Sequence, residues 1–278
     1  MKYYLILDCE TATLPFVADY NEKLRSKIAL ARPLIYDIGW NIVDHNGKIY
    51  DRKNFLISEI FLEPAIFNTA YYREKRPLYL EKLDKGEIDL VSWNEAAEAL
   101  KADMAKVDCV GAFNAFFDYK KAIAFTELYI SKMQSADFSK WLNIQRTICS
   151  KMDKPYKGYK RKIDYQHFTF RDLSVPVFDL WGLACEHILN TDEYRKTARE
   201  NGWVGDKYYR TNAEVTYRFI TGNITFDEAH TAIDDCDIET IIFAEIVKQT
   251  ANNWAKGISY FPFKIVGVVT PATENPAE

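Results

Sequence analysis

Residues 2–10 read KYYLILDCE, a dense apolar run that ends in two acids separated by one residue. A run of this kind is the pattern of a central strand, buried on both faces of a sheet. Side chains alternate along a strand, so Asp8 and Glu10 project together and Cys9 projects opposite. Two carboxylates at the end of a buried strand are costly unless they are paired or hold a cation. Two hard oxygen donors on one face suit Mg²⁺ or Mn²⁺. Taken alone, a strand that simply ends with its acids in water is the commoner explanation of Asp-x-Glu.

Outward from this strand, LIYDIGWNIVD at 34–44 and KIYDRKNFLIS at 48–58 flank His45-Asn46-Gly47. Asn-Gly between two β-rich runs predicts a hairpin. NEAAEALKADMAK at 94–106 reads as a helix with Ser92 as its cap. VDCVGA at 107–112 reads as a buried strand, and 114–133 as a helix with an aromatic face. The later chain is more helical, over about 178–190, 192–201, 211–221 and 230–251. Segments at about 60–90 and 134–175 read as insertions added to a compact core. No linker divides the chain, which reads as one α/β domain over 1–265, with 266–278 a flexible polar tail.

Composition narrows the class. Of 278 residues, 48% are hydrophobic and 15% aromatic, enough for a large core and against disorder. Only 11 Gly and 9 Pro exclude collagen-like and low-complexity chains. No apolar run reaches the length of a membrane span, and the first residues lack the pattern of an export signal. Five widely spaced Cys form no disulfide framework and point to a reducing cytoplasm. With 36 Lys+Arg against 40 Asp+Glu, the formal net charge is −4. That argues against a surface coated for non-specific DNA binding. It leaves room for a nucleic-acid enzyme whose acids hold metal ions.

Two further constellations carry chemistry. In NAFFDYKKA, Asn114 and Asp118 stand four apart, on one face if the segment is helical. The bland explanation is an Asn cap followed by a solvated acid. In EAHTAIDDCDIE, His230 precedes Asp235 by five residues, about 140° of helical rotation. His230 is therefore expected at or just before a helix start, with Asp235 inside its first turns. Asp234 is an equal candidate by spacing, and an acidic first turn is also favoured by the helix dipole alone.

The segment KMDKPYKGYKRK at 151–162 interleaves Lys151, Lys154, Lys157, Lys160, Arg161 and Lys162 with Tyr156 and Tyr159. Bases contact phosphate and aromatic rings stack on nucleobases; a solvated basic loop explains the segment equally well. YYREKR at 71–76 has the same character.

Together, the Asp-x-Glu strand, the Asn-x₃-Asp helix start and the His-x₄-Asp opening of a late helix resemble the DEDD superfamily of 3′–5′ exonucleases, in its DEDDh branch. Thr231 stands where the tyrosine branch would need Tyr. Phe113 stands where many relatives have His, and AFNA with HTAIDDCDIE looks like phage-encoded members. The resemblance covers about 1–130 and 178–250. It implies an RNase H-like α/β core, a mixed five-stranded sheet flanked by helices. It implies two Mg²⁺, with Mn²⁺ able to substitute. Asp8 would bridge both ions, Glu10 and Asp235 would complete the first site, and Asp118 would hold the second. His230 would be the general base. Asn114 would face substrate, and Leu14 and Phe16 would form an apolar wedge beside the terminal base; Tyr156, Lys157, Tyr159, Lys160 and Arg161 are the candidate strand contacts in the basic segment. The implied activity is hydrolysis of single-stranded nucleic acid from its 3′ end to 5′-mononucleotides, with DNA favoured over RNA. An exoribonuclease and a silent binding module on the same fold are the alternatives. The implied setting is cytoplasmic, in a bacterial host if phage-encoded, without membrane association; a homodimer is compatible with the sequence.

Overall fold

The computed structural model describes residues 2–152, 167–251 and 262–269. The opening run becomes strand β1 (Tyr4–Ala12), which lies inside the sheet and not at its edge. The other strands are β2 (Leu34–Val43), β3 (Ile49–Ile57), β4 (Asp89–Val91), β5 (Cys109–Ala112), β6 (His167–Phe170) and β7 (Leu173–Asp179). Their spatial order is β4-β3-β2-β1-β5-β7-β6. β1 runs antiparallel to β2 and parallel to β5, and β5 runs parallel to β7. The molecule is an α/β protein, and its described residues form a mixed sheet of seven strands, two more than expected. The extra strands are short and marginal in sequence. β4 pairs with β3 through only three residues. β6 has four residues and pairs with β7, His167 standing opposite Pro176, a residue that argues against a strand in sequence.

Alternation along β1 divides the core. Leu5, Leu7 and Cys9 join one cluster, which includes Leu100, Ala122 and Ile123 from helices. Tyr4 and Ile6 join the other, with Ile238, Ile242, Phe243 and Ile246 of the helix Ala232–Thr250. By the two-residue period, Asp8 and Glu10 continue the face that this helix covers. Gly39 pairs with Asp8 across the β1–β2 ladder. A Cβ at Gly39 would lie 2.8 Å from the Ile233 nitrogen and 2.9 Å from the Ala232 carbonyl carbon. The start of the helix therefore rests on the backbone of β2, beside Asp8.

The hairpin forms as the sequence suggests. Gly47 has φ +76° and donates to the Asp44 carbonyl, while the Asp44 carboxylate accepts from Asn46 and Lys48 backbone N–H groups. Ser92 and Glu95 form a reciprocal capping box at the helix Trp93–Met104. The predicted helix over 114–133 is divided: Phe116–Ile123 is π-helical and Ala124–Met133 is α-helical. Asn114 lies outside it, with φ +74°. It therefore does not share a helix face with Asp118, which corrects the four-apart expectation.

The segment at 60–90 is not peripheral. Ile60, Phe61, Ile66, Phe67 and Tyr79 are all buried in the main core, and Phe67 and Tyr79 pack edge-on against Tyr36 of β2. Within 134–175 the described residues form the helix Phe138–Cys149, β6 and the start of β7. The later helices fall at Leu180–Ala184, continued by the π-helical Cys185–Leu189, and at Asp192–Glu200, Ala213–Thr221 and Ala232–Thr250. Among the described residues, no helix is long and apolar enough to cross a membrane.

Candidate functional site

Three segments distant in sequence meet at one cavity of about 340 Å³, lined by Asp8, Glu10, Phe113, Phe117, Asp118, Glu228, His230, Asp235 and Glu239, among others. Asp8 and Glu10 arrive on β1. Asp118 arrives on the π-helical turn and is buried. His230 immediately precedes the last long helix, in a left-handed conformation with φ +51°. Thr231 is the N-cap of that helix, and its carbonyl accepts from Asp235 N–H. Glu10, His230 and Asp235 each offer one ligand atom, all within 4.8 Å of one another.

The helix start is held by Asp37, which stands opposite Glu10 on β2. Asp37 is fully buried and its carboxylate accepts from Ala232 N–H at 2.9 Å, Tyr79 Oη at 2.9 Å and Asn54 Nδ2 at 2.6 Å. One carboxylate thus joins β2, β3, the inserted segment and the helix that carries Asp235.

The two neighbouring aspartates diverge. Asp234 accepts from Lys82 Nζ at 2.9 Å and from Thr231 Oγ1, with its side chain 37% exposed. Asp235 faces the cavity, is buried, and its Oδ1 has no hydrogen-bond partner.

Burial and mutual repulsion raise the proton affinity of this cluster. The Asp8 carboxyl is pushed up to about 8, chiefly by burial, then by Glu228 and Asp37. Asp235 is pushed up to about 10 by burial and by Asp8. Glu10 and Asp118 are raised well above the usual carboxylate range, again by burial first and then by Asp8. Lys75 is the cation that opposes this effect at Glu10. The same lysine, after burial, holds the His230 imidazole below its ordinary value. His230 Nδ1 lies 3.4 Å from Glu228 Oε2.

Two acids were not singled out in the sequence. Glu228 is raised to about 7, first by burial. Glu239 is buried, with Oε2 lacking a partner, and is raised by burial and by Asp8, Asp118 and Asp235. Its signal was present: Glu239 follows Asp235 by four residues in a helix, so the two share a face.

The donor set is composed of carboxylate oxygens plus one imidazole. Hard oxygen donors fit Mg²⁺ or Mn²⁺ better than a thiolate-preferring metal. The partnerless buried oxygens of Asp235 and Glu239 fit the same conclusion, because buried polar atoms normally have partners. Among the described residues, Glu10, His230 and Asp235 are the group whose ligand atoms come together, and Asp8 and Asp118 line the same cavity.

Other expected substrate residues fare differently. Leu14 and Phe16 are buried in the main core. Ordinary packing accounts for them, and neither side chain is an exposed wedge. Asn114 does not line the cavity; its backbone N–H donates to Asp179 Oδ1 at 3.0 Å. Tyr156, Lys157, Tyr159, Lys160 and Arg161 lie outside the described residues. From YYREKR, the Tyr72 ring stacks on the imidazole of His230.

The chain matches no family model and no curated protein.

Proposed function

We propose that the protein is a metal-dependent 3′–5′ exonuclease of the DEDDh type, acting on single-stranded nucleic acid. The observation that carries this reading is the meeting of Asp8, Glu10, Asp118, His230 and Asp235 at one cavity. These are the residues that the motif resemblance singles out, and they come from three separate segments. Without the edge strands β4 and β6, the sheet is a mixed five-stranded one with helices on both faces, compatible with an RNase H-like core.

When bound, two divalent ions supply a nucleophile from water near neutral pH and offset charge on the transferring phosphoryl group. Asp8, Glu10, Asp118 and Asp235 would hold them. His230 is the one group at the cavity suited to take a proton without being a permanent anion beside a phosphate. Its lowered pKa keeps it neutral, hence able to accept, at physiological pH. Glu228 beside Nδ1 favours one orientation of the ring. Phe113 and Phe117 give the cavity an apolar wall.

The test is release of mononucleotides from 3′-labelled and 5′-labelled single strands with Mg²⁺, against the same reaction in EDTA. Matched DNA and RNA oligomers separate a deoxyribonuclease from an exoribonuclease. Binding without release under any metal would sink the reading and leave a silent module.

A further inference from the structure

Residues 71–84 belong to the inserted segment, yet they meet the loop before the last long helix at several points. The Tyr72 ring lies face to face with the His230 imidazole, with centroids 4.3 Å apart and planes 14° from parallel. Lys75 donates to the carbonyl of Ala229, the residue before His230, and its ammonium lies 4.9 Å above the Tyr72 ring. Farther along the same segment, Tyr79 bonds Asp37, and Lys82 bonds Asp234.

These contacts have a common physical effect. His230 has φ +51°, a conformation that is uncommon for a residue with a side chain. It sits on a loop, with its side chain 28% exposed, so neither helix nor core packing fixes its ring. A flat stack restricts the imidazole plane, and the Lys75 bond restrains the backbone from which the ring projects.

We infer that Tyr72, with Lys75 behind it, is a positioning residue that holds the His230 imidazole in its working orientation. The inserted segment is then a brace for the general base. This rests on the nuclease reading above. Tyr72 touches the base and is assigned no contact with the reacting phosphate.

The experiment compares wild type, Tyr72→Ala and Tyr72→Phe, with two readouts. The first is kinetic, on a short single strand with Mg²⁺. A misplaced catalytic group can cost about 10²-fold. Tyr72→Ala should lower kcat by about 10–10²-fold with KM nearly unchanged, and Tyr72→Phe, which keeps the ring, should restore most of it. The second is the proton spectrum of metal-free protein, with His230→Ala used to assign the imidazole resonances. Those resonances should carry an upfield ring-current shift in wild type and Tyr72→Phe, and lose it in Tyr72→Ala. Mn²⁺ affinity should be the same in all three, which excludes collapse of the carboxylate cluster.

Full kcat in Tyr72→Ala would overturn the inference. So would a raised KM at unchanged kcat, which would mean that Tyr72 acts on substrate. An unshifted imidazole in wild type would overturn it as well. Wild-type protein that releases no nucleotide would remove the nuclease reading itself and this role with it.

Discussion

Asp234 and Asp235 are adjacent in sequence, yet their carboxylates face different surroundings: Asp234 pairs with Lys82 in a half-exposed site, while Asp235 points into the acidic cavity with Oδ1 unpartnered. The two residues should therefore respond to substitution in opposite ways. Asp235→Asn should abolish nucleotide release and raise the metal-free melting temperature, because it replaces a buried carboxyl that must take up a proton on folding with a neutral amide. Asp234→Asn should keep substantial activity and cost about 0.2–1 kcal/mol, the worth of a partly exposed ion pair. Activity assays and thermal melts of both variants check this; loss of turnover on changing Asp234 alone would reverse the assignment.

Asp37 predicts a larger loss of stability. Truncation to Ala would leave the Ala232 N–H and the Tyr79 hydroxyl without this acceptor, and the Asn54 amide with the Ile38 carbonyl alone. An unsatisfied buried donor costs roughly 1–3 kcal/mol. Asp37→Ala should thus lower unfolding free energy by roughly 3 kcal/mol or more, allowing for relaxation. Urea denaturation measures this, and a loss below about 1 kcal/mol would mean that the helix start is held by its packing on Gly39 instead.

Metal and pH should act together on stability. The unfolded chain releases carboxyl protons near pH 4. Folded Asp8 and Asp235 keep theirs to about 8 and about 10. Between these limits the folded state binds more protons, so rising pH favours unfolding. Metal-free protein should lose melting temperature steadily from pH 5 to pH 9. Mg²⁺ or Mn²⁺ at a hundred times its dissociation constant should add about 2.7 kcal/mol, most visibly at the alkaline end. Differential scanning fluorimetry across this range, with metal or with EDTA, checks the slope. A metal-free melting temperature that rises between pH 5 and 9 would contradict it.

His230 sets the acid limb of the reaction. A general base must be neutral, so the rate should fall as pH drops through the His230 pKa. That limb should lie below the ordinary histidine value of about 6.5. His230→Ala should slow turnover by about 10²–10⁴-fold and abolish the limb, with Mn²⁺ binding retained. An unchanged pH–rate profile in that variant would remove His230 from the mechanism.

Local rules account for much of the arrangement around the cavity. The continuous apolar run in KYYLIL marked an inner strand, and the two-residue period of side chains along it placed Asp8 and Glu10 on one face. His45-Asn46-Gly47 specified the hairpin, and Ser92 specified a helix start, to which the structure adds Glu95 as the reciprocal partner. The spacing of His230 from Asp235 put one before the helix and the other inside it. Tertiary structure decided what spacing leaves open. Asp235 faces the cavity because Lys82, from a segment some 150 residues earlier, takes the neighbouring carboxylate. Glu239 joins the cluster because the helix packs on β1, although its four-residue offset from Asp235 was legible. Asn114 leaves the helix face because its backbone turns left-handed at the end of β5. The segment at 60–90 reads as an addition because Tyr71, Tyr72, Arg73, Lys75, Arg76 and Lys82 stand between its apolar pieces. Those pieces are buried because β2 offers Tyr36 to Phe67 and Tyr79, a pairing between strand and insertion that acts across the fold and has no local signature.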